Sequence, residues 1–90
     1  MSHAIRDKTK LVARVRRIKG QMEGVERALE AEAACSEVLR QLASIRGAMT
    51  GLTGELMEEH LREHVLAAPT KADRAQGAEE MIQVLRTYMK

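Results

Sequence analysis

Three side chains carry the soft-donor chemistry of this 90-residue chain: its single cysteine, Cys35, and the histidines His60 and His64. A thiolate joined by two imidazoles is a donor set for late first-row divalent metals. His60 and His64 stand four residues apart, so on a helix they share one face. Glu63 beside them is read either as orienting a ligand from behind or as a surface charge. His3, on an N-terminal arm over residues 1–5 read as mobile, can complete a shell. The Ser2 amine, bared when Met1 is removed, is a further donor. The same residues His60-Leu61-Arg62-Glu63-His64 formally spell the H-x-x-E-H pattern of a zinc peptidase. That reading fails because the chain offers neither a cleft nor a third ligand on a larger scaffold. No paired acid and base suggests any other enzyme.

The element that must position these groups is the proline-free run 35–64. Its apolar residues Val38, Leu42, Ile45, Met49, Leu52 and Leu56 step alternately by four and three, the seam of a long amphipathic helix packed on another helix. On one straight helix Cys35 and His60 lie about 37 Å apart and on nearly the same side. One helix cannot close a site from both ends, but two copies packed antiparallel bring each Cys35 beside the other's histidines. If thiolate and imidazoles cooperate, the protein is at least a dimer with two equivalent sites.

Composition sets the frame around that helix. Ninety residues make one domain, residues 1–90, whose core as a monomer would be marginal. Tyr88 is the only aromatic of the Phe, Trp and Tyr class, so the core must be aliphatic. Oligomerisation is the natural way for such a chain to bury enough surface. The charged opening MSHAIRDKTK does not read as a signal peptide, and no apolar run approaches membrane length. A lone cysteine fits a reducing cytoplasm. The formal net charge of +2 hides an asymmetry, because residues 1–19 carry seven lysines and arginines against Asp7 alone. A basic patch confined to one end is a footprint for a polyanion, with double-stranded nucleic acid favoured since aromatics for base stacking are missing.

Read in order, a first helix begins near Asp7 as its N-cap or first-turn acid, with a seam of Leu11, Val15, Ile18, Met22, Val25 and Leu29. Lys10 and Arg14 align four apart, where like charges repel unless an anion sits between them. Gly20 with Gly24 offers a smooth strip for close approach of another helix; Gly47, Gly51 and Gly54 read as close-packing sites, with a kink as the other possibility. Residues 30–35 form a short link without a strong stop signal, and short links join antiparallel neighbours. Residues 66–77 read as a loop or frayed turn; Thr70 with Asp73 resembles a capping box, but Gly77 argues against an early helix start. The last helix is expected over roughly 78–89, with Met81, Leu85 and Tyr88 on one face. The fold class is all-α, two long helices and one short one.

The stretches RVRRIKGQ (14–21), Cys35 opening helix two, LASIRGAMTGL (42–52) and HLREH (60–64) together resemble the CsoR/RcnR family of small helical repressors. The opening MSHAIRDK looks like its nickel/cobalt-responsive RcnR branch. The resemblance covers nearly the whole chain and is weakest over residues 66–80. It implies a three-helix protomer, an antiparallel dimer built on helix two and a tetramer formed as a dimer of dimers. It also implies operator binding by a basic face of helix one with an arginine from helix two, which here are Lys8, Arg14, Arg17, Lys19 and Arg46. Copper(I) sensors of the family carry cysteine where this chain has His64, and persulfide sensors need two cysteines. The formaldehyde-sensing branch pairs a cysteine with an N-terminal proline amine, where this chain has Ser2. The set His3, Cys35, His60 and His64 matches the nickel/cobalt type, with zinc a further occupant in vitro.

The sequence therefore leads us to expect a cytoplasmic homodimeric or homotetrameric repressor that leaves operator DNA when nickel or cobalt binds. Two rivals stand beside it: a formaldehyde-responsive repressor using Cys35 as a reactive thiol, and a metal-binding helical bundle that does not touch DNA.

Overall fold

The computed structural model describes residues 8–90, which form three α-helices with the longest in the centre. Helix α1 spans Lys8–Glu30 and α2 spans Cys35–Leu61. A π-helical turn follows at Arg62–Leu66, and α3 spans Lys71–Tyr88. The expected all-α, three-helix class is the one observed; Asp7 as N-cap lies outside the described residues. The chain divides within α2, after Thr53, into two compact units.

In the first unit α1 and α2 form an antiparallel hairpin. A Cβ built on Gly24 would meet Gln41 at 3.8 Å, and one on Gly51 would meet Arg14 at 3.0 Å, so residue numbers run in opposite directions across the pair. The link that makes this reversal carries a stop signal that the sequence hides. Glu32 adopts a left-handed conformation with φ 55°. The Ala33 amide then donates to the Ala28 carbonyl at 2.9 Å and the Glu32 amide to the Leu29 carbonyl at 3.1 Å. These are the crossed bonds of a Schellman motif, which normally places glycine where this chain has Glu32. Helix α2 restarts at once, with the Ala34 carbonyl accepting from the amides of Glu37 (2.9 Å) and Val38 (3.2 Å).

The two seams resolve into two stripes each. On α1, Leu11, Ile18 and Val25 turn toward α2, and on α2 Val38, Ile45 and Leu52 answer them; Val25 and Ile45 are fully buried and the others half-buried. The alternate members Val15, Met22, Leu29, Leu42 and Met49 remain 40–61 % exposed. A four–three alternation is a heptad with two apolar positions, and one neighbouring helix covers only one of them. Gly20 and Gly47 face open space within the described residues instead of lining a close helix contact, while Gly24 and Gly51 do lie under α1–α2 side chains.

The second unit corrects the expectation for residues 66–77. Helix α3 begins at Lys71, seven residues ahead of the expected start. The Thr70 side chain accepts from the Asp73 amide at 3.0 Å, which is the N-terminal half of the anticipated capping box. Gly77 had argued against an early start, because glycine is unfavourable inside a helix by about 1 kcal/mol. It is tolerated here because Gly77 is buried against the π-turn, where no larger residue fits. Ala68 and Met81 complete the small core of this unit, whereas Leu85 and Tyr88, expected on the same face as Met81, are exposed. Arg74 braces the entry into α3 by donating from Nη1 to the Ala68 carbonyl at 3.2 Å.

Candidate metal centre and nucleic-acid face

The imidazole pair sits where α2 changes register. The α-helix ends at Leu61, one residue after His60, and His64 lies in the π-turn, which is closed by the Ala67 amide donating to the Arg62 carbonyl at 2.9 Å. π-Turns are uncommon and concentrate at functional sites. Both rings are half-buried and stacked, with centroids 4.6 Å apart and planes 29° apart, so the expected sharing of one face is observed. Just outside the pair, Arg62 grips Glu58 Oε2 through Nε (3.1 Å) and Nη2 (3.0 Å) across one helical turn.

His60 is held from α3. Its Nε2 lies 3.0 Å from the Gly77 carbonyl oxygen and 3.5 Å from Glu80 Oε1. A carbonyl only accepts, so Nε2 carries the proton and donates, and the lone pair of the neutral ring is left on Nδ1. The ring thus has one nitrogen committed to the scaffold, as metal-binding histidines typically do. Sequence reasoning did not include Gly77 or Glu80 in the site. The one signal for Gly77 was a glycine inside an otherwise helical pattern.

Cys35, the first residue of α2, is exposed. Seven-residue steps from it reach Leu42 and Met49, so the thiol heads the uncovered apolar stripe of α2. Among the described residues no three of the His, Cys, Asp and Glu side chains gather into a metal-holding cluster. The donor types present fit a divalent late first-row ion, but the described residues of one chain supply at most part of its shell. His3 and the Ser2 amine lie outside the described residues.

Six of the seven lysines and arginines of α1 lie in its first half, and Arg27 alone stands in the last turn. Lys8, Lys10, Arg16, Arg17 and Lys19 are exposed, followed by the acidic Glu23, Glu26 and Glu30. Apart from Arg27, this order opposes the helix dipole, which favours acids at the N-terminus and bases at the C-terminus; the first turn of the described helix, from Lys8, contains no acid. Arg14 differs from the other cations: it is half-buried, and its Nη2 lies over Gly51. On a helical projection Lys10, Arg14 and Arg17 share one flank, whereas Lys8 and Lys19 point about 150° or more away from Arg17. Arg46 is exposed on α2, about 140° around that helix from Gly51. The five residues expected at a DNA surface therefore divide between different flanks of this hairpin.

Comparisons with known proteins bear on both the soft-donor groups and the charged half-helix. The model of the metal-sensitive transcriptional repressor family matches residues 7–87. A protein of Serratia marcescens known from the region 5′ of bioA is 55 % identical over 91 residues, with both chains covered completely. The transcriptional repressor RcnR of Salmonella paratyphi B is 41 % identical over 90 residues, again over the whole of both chains. Among solved structures, a variant of the formaldehyde-responsive regulator FrmR from Salmonella enterica serovar Typhimurium superposes with a TM-score of 0.85 at 43 % identity, covering 97 % of this chain and 99 % of that one. With its helices, its basic segment and its full-length relatives in agreement, the chain belongs to the family of metal-sensitive transcriptional repressors, which are not enzymes.

Proposed function

We propose that this protein is a cytoplasmic repressor that binds operator DNA as a dimer or tetramer and releases it when nickel or cobalt binds between subunits. One observation carries the reading: the exposed thiol of Cys35 heads an apolar stripe, Leu42 and Met49, that stays exposed among the described residues. Covering that stripe with a second, antiparallel copy of α2 removes Leu42 and Met49 from water. The same operation carries Cys35 toward the His60–His64 end of the other copy, because the midpoint between Cys35 and the pair falls at or near Met49. Burial and ligation are then satisfied together.

In this reading Cys35 of one copy, with His60 through Nδ1 and His64 of the other, would hold the ion. His3 and the Ser2 amine extend the shell, and Glu63 orients a ligand from behind it. Bound nickel or cobalt supplies a cross-link between groups that otherwise meet only through packing. The chain's own residues do the rest. Gly77 and Glu80 steady His60, and α2 ties the ligand positions to the hairpin that bears the basic segment. Lys8, Arg14, Arg17 and Lys19 of α1, with Arg46 of α2, contact the phosphates and bases of the operator. The cations stacked against the dipole of α1 favour a polyanion there, since phosphates relieve both the mutual repulsion and the unfavourable end charge. An altered spacing of these residues needs a coupling of only about 1–3 kcal/mol to switch binding.

The test uses a duplex that the metal-free protein has selected from a random pool, followed by anisotropy as nickel(II) or cobalt(II) is added. DNA affinity should fall by about 5- to 150-fold as the metal binds, the range of ordinary allosteric coupling. Unchanged affinity with metal demonstrably bound would overturn the reading. The exposure of Cys35 also favours a second reading, in which the thiol reacts with formaldehyde. His64→Ala separates the two: the metal response is lost in the first and the aldehyde response survives in the second.

A further inference from the structure

Gly77 makes two contacts that no other glycine of the described chain makes. A Cβ placed on it would lie 2.0 Å from the carbonyl oxygen of His64, 2.7 Å from its carbonyl carbon and 3.0 Å from its Cβ. The obstacle is mainly backbone, so no rotamer change relieves it. At Gly20, Gly47 and Gly54, by contrast, an added methyl would meet nothing within 4 Å. The carbonyl of the same residue accepts the Nε2–H of His60 at 3.0 Å. One backbone unit of α3 therefore touches both histidines, the first through its ring and the second through its main chain.

The surroundings make this seat specific. The π-register of the turn would pair the His64 carbonyl with a donor five residues on, but that residue is Pro69, which has no N–H. The Gly77 backbone packs on that carbonyl instead. Glycine is disfavoured at the seventh position of an 18-residue helix unless something requires its missing side chain. Here the required close approach lets a single hydrogen bond select the tautomer of His60 while the stacked His64 ring is held at its side.

We propose that Gly77 is the positioning residue of the imidazole pair. It fixes His60 as the Nε2–H tautomer with Nδ1 presented to the ligand, and it sets His64 by abutting its carbonyl. Any side chain at position 77 lifts α3 from the π-turn and releases both rings together. This rests on the reading of His60 and His64 as metal ligands, yet it makes one claim that holds without any metal.

The experiment combines two measurements on the full chain. Long-range proton–nitrogen NMR of the histidine rings, recorded without metal, reports the tautomer of His60 directly. The wild-type protein should show a single Nε2–H form; an Nδ1–H form overturns the proposal without recourse to any variant. Gly77→Ala is then examined by the same spectra and by titration with nickel(II) and cobalt(II) chloride against a competing chelator. Its His60 should exchange between tautomers and its metal affinity should fall by about 10- to 100-fold, as for loss of a ligand-orienting group. Equal affinity and an unchanged ring spectrum in the variant would refute the assignment. Should the variant fail to fold, the wild-type tautomer still decides. Should the wild type take up neither ion, the metal reading falls while the tautomer measurement continues to judge Gly77.

Discussion

At the scale of single residues, Glu32 shows how a local cost can be carried for a connection. Its left-handed backbone, φ 55°, closes α1 and turns the chain toward Cys35 within a few residues. An L-residue in that conformation is strained by roughly 1–2 kcal/mol, whereas glycine adopts it freely. Glu32 is exposed, so its side chain contributes no burial to offset the strain. Glu32→Gly should therefore raise stability by about 1 kcal/mol, read as a higher urea midpoint with unchanged slope. A second residue-scale expectation concerns the basic segment. Arg17 is exposed, so Arg17→Ala should weaken DNA binding and reduce the salt dependence of log K by about one phosphate contact. An unaltered salt slope would place Arg17 outside the nucleic-acid face.

At the scale of elements, the sequence disclosed the helices better than their ends. The four–three alternation made α1 and α2 visible, and Thr70 with Asp73 marked the start of α3. That mark was outweighed by Gly77, because a glycine penalty is readable locally while the tertiary contact that reverses its meaning is not. The stop at Glu32 was equally hidden, since the motif usually advertises itself with glycine. The π-turn had no signature at all: residues 62–66 continue an ordinary helical pattern, and only the packing of α3 distinguishes them. The candidate site was legible in its residue types, Cys35, His60 and His64, and in the shared face of the two histidines. It was not legible in the grip of α3 on that pair, because hydrogen bonds to a backbone carbonyl leave no trace in the spacing of side chains. Thr70→Ala tests how much the cap contributes to this grip. Losing the bond to the Asp73 amide should cost about 1 kcal/mol. The loss should appear as reduced hydrogen-exchange protection over residues 71–77, with the protection of α1 unaffected.

At the scale of the whole molecule, the distribution of apolar surface decides what a lone chain can be. Val25, Ile45, Ala68 and Met81 are the only apolar residues fully buried among the described ones, while Val15, Met22, Leu29, Leu42 and Met49 lie open. So small a core is marginal by itself, and the open stripe is the surface that a second chain would cover. Met49 falls near the centre of any antiparallel pairing that joins Cys35 to His60 or His64. Met49→Lys should consequently shift sedimentation toward the monomer and remove the metal response along with it, because two ammonium groups would meet near the symmetry axis. Retained dimers with a full metal response would refute the pairing. Under the proposed pairing, the bare ridge would also make abundance a variable of the switch. If association and folding are one process, dilution below the dissociation constant leaves chains that are neither assembled nor well protected, and cellular proteases would remove them first. The lower limit on the number of working regulators in a cell would then be set by mass action on Leu42 and Met49, before any inducer arrives.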